Sequence, residues 1–203
     1  KSILNYVGNT NWQVPGETLT WKIKVPKDGF YTLGINYKQS FIIDGFTYRS
    51  LLIDDEIPFT ECKNLRFDYN SKWEFKKIGG KNPYKFYLTE GTHTISLTVT
   101  LGETAEFYSR LSEITGVIGN TYMDIVMITG PSPDPNRSYE LFKQIPGFQE
   151  TLLKCYTDLK ALAADMKSLS GDRSSKYISA LNNMSRVLNE MYKNRFTAHN
   201  YVS

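Results

Sequence analysis

The spacing of the apolar residues changes once along this chain, at Gly102, and that change limits what it can fold into. Before Gly102 the apolar residues alternate. Leu19, Trp21, Ile23 and Val25 take one phase, and Thr18, Thr20, Lys22 and Lys24 the other. Ile95, Leu97, Val99 and Leu101 alternate in the same way with Ser96, Thr98 and Thr100. A period of two is that of a strand with one buried face. Tyr31, Leu33, Ile35 and Tyr37 share a further strand face after the turn Pro26-Lys27-Asp28-Gly29. Tyr48 to Ile53 runs into the tight-turn pair Asp54-Asp55, and Ile57-Pro58-Phe59 is expected to continue beyond it. Trp73, Phe75 and Tyr84 to Leu88 supply later strands, and Glu90-Gly91 turns the chain. Closely spaced strands with turn chemistry between them predict an antiparallel sandwich rather than a parallel sheet.

After Gly102 the period is helical. Phe107, Leu111, Ile114 and Ile118 predict a helix over 103–128, weakened in its middle by Gly116 and Gly119. Pro131, Pro133 and Pro135 end it, and Asp134 is placed to cap a short helix over 135–145. Pro146-Gly147 restarts the chain into a pair of heptad-patterned runs spanning 147–195. The first is Phe148, Leu152, Cys155, Leu159, Leu162, Met166 and Leu169; the second is Tyr177, Leu181, Met184, Leu188 and Met191. Ser170-Gly171-Asp172 separates them, which predicts a helical hairpin with helix 103–128 as its third partner. The fold class is therefore α+β, with a sandwich over 1–102 followed by a small helical bundle over 103–203.

Several chemistries lack their residues. The histidines are His93, on a hairpin shoulder, and His199, in a tail expected to be disordered; no Ser-His-Asp, Cys-His or HExxH arrangement is available. Gly79-Gly80-Lys81 lacks the spacing of a phosphate loop and reads as a turn. Cys62 and Cys155 lie in different regions with no CxxC, so neither a disulfide framework nor a zinc site is expected. Asp54-Asp55-Glu56 is the densest carboxylate group, but adjacent side chains on a turn point apart, unlike the paired acids of a glycosidase. No enzyme activity and no cofactor is expected. A structural calcium at that oxygen-rich turn stays an open alternative, although no EF-hand spacing is present. The net charge of +3 is small and spread along the chain, and no nucleic acid is expected as a partner.

Aromatic residues make up 14% of the chain, above the ordinary share. Strand content accounts for much of that. Flat rings also stack on sugars, and planar polar groups bond hydroxyls in pairs. The stretches that combine the two carry the candidate ligand residues Tyr37, Tyr48, Arg49, Trp73, Asn82 and Tyr84. Trp73 and Tyr84 would offer ring faces, and Arg49 and Asn82 would bond hydroxyls. The rival reading makes Trp73 and Tyr84 core aromatics on inward strand faces.

Gly29-Phe30-Tyr31-Thr32-Leu33-Gly34-Ile35-Asn36-Tyr37, Arg49 to Asp55, Pro83-Tyr84 to Leu88 and Glu90-Gly91-Thr92-His93-Thr94-Ile95-Ser96-Leu97 occur in an order that resembles the galactose-binding-like, jelly-roll sandwich of carbohydrate-binding modules. More narrowly, the chain resembles the sandwich within large extracellular solute-binding lipoproteins of Gram-positive sugar ABC transporters. Ile128 to Pro135, Tyr139-Glu140-Leu141 and Ile145-Pro146 add to that likeness, which covers about residues 17–190. The resemblance implies a non-catalytic module on a Gram-positive cell surface that binds oligo- or polysaccharide at a loop rim. It would meet the membrane only through an anchor elsewhere in the parent protein. Calcium-dependent members start with an acidic strand, where this chain has Asn5-Tyr6-Val7-Gly8-Asn9. The opening Lys1-Ser2-Ile3-Leu4 and the closing Phe196 to Ser203 suggest a piece of a longer protein, with the helices set before a final strand. A second reading is a structural or interaction module whose sandwich is a spacer and whose helices dock a neighbouring domain or a transporter component. Exposed, clustered aromatics would favour the first reading and buried ones the second.

Overall fold

The computed structural model describes residues 6–8, 12–43, 45–171 and 176–201, so the expectations resting on Lys1 to Asn5, Asn9 and Asp172 lie outside the described residues. The chain divides into two compact units, Lys1–Thr104 and Ala105–Ser203.

The first unit is built of antiparallel strands: β1 (Thr18–Val25), β2 (Gly29–Tyr31), β3 (Gly34–Tyr37), β4 (Phe46–Ile53), β5 (Leu65–Asp68), β6 (Glu74–Lys77), β7 (Phe86–Leu88) and β8 (Gly91–Thr100). One sheet has the order β1-β8-β4-β5; β2 pairs with β7 and β3 with β6. β8 is the central ladder strand, setting Leu97 beside Leu51 and Ile95 beside Ile53 on β4. Its other neighbour, β1, sets Trp21 beside Ile95. On the opposite phase the hydroxyls of Thr18 and Thr20 meet those of Thr98 and Ser96 at 2.8 Å. Leu51, Leu65, Phe67, Ile95 and Leu97 from the large sheet pack against Ile78 and Phe86 from the smaller pairings, which closes the sandwich core. Burial of each such side chain contributes about 1.5–3 kcal/mol.

Asp54 and Asp55 both adopt positive φ, 50° and 65°. Those angles make the tight turn whose twist matches a hairpin. The chain does not resume a strand at Ile57-Pro58-Phe59: after the bridge between Ile53 and Glu56 it winds into a 3-10 turn at Thr60–Asn64 that buries Cys62.

The second unit holds α1 (Ala105–Thr129), the one-turn α2 (Leu141–Gln144), α3 (Phe148–Ser170) and α4 (Lys176–Lys193). α1 runs unbroken through Gly116 and Gly119. The short helix expected over 135–145 shrinks to α2. Asp134 accepts the amide of Asn136 in a turn instead of capping a helix, and Glu140 turns left-handed at φ 49°, so no helical path can form ahead of Leu141. α3 buries Phe148, Leu152, Cys155, Leu159 and Leu162 as their spacing predicts. It ends at Gly171, whose φ of 69° lets its amide reach back to the carbonyls of Lys167 and Ser168.

α4 presents a different stripe from the expected one. Ile178, Leu181, Ser185, Leu188 and Met191 are buried, while Tyr177 and Met184 stand 55% and 37% exposed. Both stripes recur three or four residues apart, and they share Leu181, Leu188 and Met191. The buried one is chosen because small Ser185 fits where α3 and α4 approach, its hydroxyl donating to the Tyr156 carbonyl at 3.3 Å. The tail also corrects its expectation: Ala198–Tyr201 form a 3-10 turn that buries Ala198 and His199, with the His199 ring edge-on to Tyr139 at 4.8 Å.

Candidate functional site

The strand phase decides which residues reach solvent. β2 and β3 follow one another, with Tyr31, Leu33, Ile35 and Tyr37 turned toward the core and Phe30, Gly34 and Asn36 turned away. β6 and β7 run opposite them as one interrupted strand. Ile78 donates to the Leu33 carbonyl, and Tyr84 donates back to the Ile78 carbonyl, so residues 79–83 leave as a loop and the pairing resumes at Phe86 opposite Tyr31.

The outward phase of this layer carries rings. Phe30 and Tyr87 are cross-strand partners with centroids 5.3 Å apart in an edge-to-face pair, and they are 70% and 58% exposed. Phe75, 64% exposed, lies across Gly34: a Cβ at that position would sit 2.2 Å from the ring. Asn36 pairs with Phe75 across the strands and places an exposed amide beside it. Trp73, just ahead of β6, is 52% exposed and tilts against Tyr6 at 5.9 Å. From Phe30 to Gly34 the chain advances four residues, at most about 13 Å along the strand. That is wider than a single sugar ring. Single exposed apolar residues are ordinary, but several flat rings on one sheet face form a patch that calls for a partner.

The six residues expected at a site are not brought together. Trp73 belongs to the exposed face. Tyr37 is half-buried on the inward phase, edge-on to Phe67 at 5.0 Å. Tyr84 is half-buried and edge-on to Phe59 at 5.2 Å. Asn82 is exposed in the loop 79–83. Tyr48 and Arg49 lie within β4, not in a loop. Tyr48 is buried and donates to Glu103 at 3.0 Å; burial first and that hydrogen bond second push its phenol up to about 12. Arg49 shares a strand phase with Val99 and Leu65, stacks its guanidinium 4.3 Å from the Trp12 ring centroid and donates to the Tyr48 carbonyl. Burial lowers its pKa to about 10. The residues that sequence reasoning missed are Phe30, Phe75 and Tyr87. Their signal is present in Phe30, an aromatic in the polar phase of a strand whose other phase already supplies the core.

One acid-base grouping does form. His93 Nδ1 is 2.5 Å from Asp54 Oδ2, and His93 Nε2 is 2.9 Å from the Thr89 carbonyl. The Asp54 bond first and the Thr89 carbonyl second raise the imidazole's pKa, while the bonds from His93 and from the Thr94 amide lower that of Asp54. Acceptors at both nitrogens favour the protonated ring. The Thr89 hydroxyl stands at 3.5 Å from Nε2, farther than the Thr89 carbonyl, so Nε2 faces an acceptor rather than a hydroxyl to deprotonate. The grouping ties the Asp54 turn to β8 and is not poised as a nucleophile and base. Among the described residues, no three His, Cys, Asp or Glu side chains gather as a metal site. The outer face of the large sheet holds a shallow hollow of about 540 Å³ lined by Ser50, Leu52, Ile57, Thr98 and Leu101, with no ring to stack on a ligand.

Residues 106–197 match the model of a family described as bacterial solute-binding protein, 4-helix bundle domain. The helical unit thus matches a bundle of bacterial solute-binding proteins. Among solved structures, the chain is similar to a Paenibacillus sp. cycloisomaltooligosaccharide glucanotransferase complexed with cycloisomaltoheptaose, at 27% identity over 46% of this chain and 13% of that one, with a TM-score of 0.35. The chain spans a small part of that protein's length, and so loose a superposition decides neither fold nor chemistry. No curated protein matches.

Proposed function

We propose that this chain is a non-catalytic carbohydrate-binding module of a bacterial cell-surface sugar-uptake protein. Its ligand is an oligo- or polysaccharide that stacks on Phe30, Tyr87, Phe75 and Trp73 and is steered by hydrogen bonds from Asn36. The observation that carries the reading is the exposure of these rings on the outward phase of one sheet layer, where solvent alone would select polar residues. The match of the helical unit to a solute-binding-protein bundle supports the setting. An antiparallel sandwich followed along the chain by that bundle supports the galactose-binding-like resemblance, and the solute-binding family match supports an extracellular location. Stacking requires no cofactor, and Asp54 at the turn considered for calcium is already bonded to His93 and Thr94.

The test is a glycan array followed by calorimetric titration. Wild type binds at least one glycan class. Tyr87→Ala weakens that binding by about 1–3 kcal/mol, the scale of ring stacking in other ligand sites. Gly34→Ala weakens it too, by pushing the Phe75 ring off the face. Release of reducing sugar from a polysaccharide panel would overturn the non-catalytic part.

One feature favours the docking alternative for the helices. Near the end of α1, Tyr122, Met123 and Met127 are exposed, Met127 by 74%. An interaction module would bind no glycan, and Met127→Glu would abolish its association with the rest of the parent protein.

A further inference from the structure

We infer that the aromatic face takes an acidic oligosaccharide, one whose carboxylate or sulfate substituents meet Lys77 and Lys85 between the two groups of rings. The inference rests on the carbohydrate reading above and adds the ligand's charge. Lys77 pairs with Gly34 across β3 and β6 and shares the outward phase with Phe75. Lys85 stands one step before β7, exposed and in phase with Tyr87. The two lysines therefore bracket the loop 79–83, with the Phe30–Tyr87 pair on one side and Phe75 on the other.

No carboxylate shares that phase on β2, β3, β6 or β7. Glu74 belongs to the inward phase opposite Tyr37 and accepts the Asn70 amide at 3.1 Å. Asp28, at the end of the layer, accepts the Glu90 amide at 2.6 Å. Among the described residues neither lysine has an ion-pair partner or lies over a ring. Lys76, the alternate residue, shows the contrast: its ammonium donates to the Arg66 carbonyl and lies 5.3 Å from the Phe67 ring centroid.

A face that reads neutral hydroxyls needs planar groups that bond them in pairs. Here Asn36 is the side-chain amide on the outward phase of these strands, Thr32 and Tyr87 add single hydroxyls, and the charged groups of that phase, Lys77 and Lys85, are cationic. An ammonium is a point charge with no fixed fork, so it favours an anionic substituent without choosing between carboxylate and sulfate. Lysines also guard exposed sheets against edge pairing. That role does not account for bare rings on both sides of them.

The experiment uses the full chain on an array that pairs acidic oligosaccharides with neutralised counterparts. Oligogalacturonates are set against their methyl esters and sulfated galactans against desulfated forms, with neutral glucans, xylans and mannans alongside. The expected result is binding of an acidic member about 10-fold or more tighter than its neutralised partner. The ratio falls as salt is raised, because exposed charges are screened over about 10 Å at 0.1 M. It approaches one in the double variant Lys77→Gln, Lys85→Gln and returns in Lys77→Arg, Lys85→Arg. Whichever array pair responds identifies the substituent. Equal binding within every pair, or a preference that survives the glutamine variant, overturns this inference and leaves the carbohydrate reading standing. Failure to bind any glycan overturns both.

Discussion

In α3 and in the β2–β3 stretch the apolar residues are used in opposite ways. Phe148, Leu152, Cys155, Leu159 and Leu162 of α3 are all at most 4% exposed. Along β2–β3, Leu33, Ile35 and Tyr37 pack on the core while Phe30, in the other phase, is 70% exposed. A helix in a small bundle has one stripe to bury and leaves the rest polar. A strand in the outer layer of a sandwich has a second full face, which folding does not require and function can occupy. Aromatics within the helical seam are therefore structural, whereas aromatics in the strand's second phase are available for recognition.

The largest expected effect lies in the seam. Leu159→Ala removes a side chain with 0% exposure and is expected to cost about 2–5 kcal/mol. Denaturant unfolding followed at 222 nm reads it. Tryptophan fluorescence reports the other unit separately, because Trp12, Trp21 and Trp73 all lie there. A loss below about 0.5 kcal/mol would mean the α3 stripe is not a core at all.

Next comes the choice of stripe on α4. Ser185→Met places a long side chain where α3 and α4 approach, and overpacking of that kind costs about 1–3 kcal/mol. Met184→Ser, one residue earlier and exposed, is expected to stay within about 0.5 kcal/mol. Reversal of that order would restore the stripe through Tyr177 and Met184.

The strand face should respond in the opposite sense to the seam. Phe30→Ala removes an exposed ring and one cross-strand aromatic contact, and it is expected to lower stability by no more than about 1 kcal/mol. A loss of about 3–5 kcal/mol would show that Phe30 is a core residue and that the contrast fails.

The smallest effect belongs to the His93–Asp54 pair, in which Asp54 is exposed and His93 half-buried, and which belongs to neither core. His93 has a raised folded pKa, so its contribution is complete below its unfolded value, about 6.5, and is lost as pH rises through the folded value. Asp54 has a depressed folded pKa, so its contribution is present above about 3.9 and is lost as pH falls through the folded value. The pair therefore supports the hairpin most between roughly pH 4 and 6.5. Thermal unfolding of wild type should show a shallow decline above that window, and His93→Gln should flatten it. An unchanged profile in His93→Gln would remove the pair from the stability of the turn.

Much of the fold was legible because periodicity records burial directly. The alternation in Ile95 to Leu101 and the seven-residue spacing in Phe148 to Leu162 each leave one self-consistent choice of inner face. The α4 stripe was not legible, because Met184 is apolar and Ser185 is polar, and hydrophobicity gives no sign that a seam needs a small residue there. The short helix over 135–145 failed for a similar reason: Asp134 accepts a local amide in a turn rather than capping a helix, and the left-handed Glu140 lies beyond any propensity argument. Of the six residues expected at a site, Trp73 is the one that stands on the exposed aromatic face. Tyr48 and Arg49 were misplaced because residue type was weighed before strand phase.

The sequence by itself determined the two units, the change of period between them, the inward phase of β1, β2–β3 and β8, and the α3 seam, since each follows from local spacing repeated over many residues. Only the tertiary structure decided that β6 and β7 form one interrupted strand opposite β2–β3. That pairing joins residues some fifty positions apart, and it alone gathers Phe30, Tyr87, Phe75, Lys77 and Lys85 on one face. No local pattern contains that pairing, because hydrogen bonds between distant strands form according to which segments the finished core holds side by side.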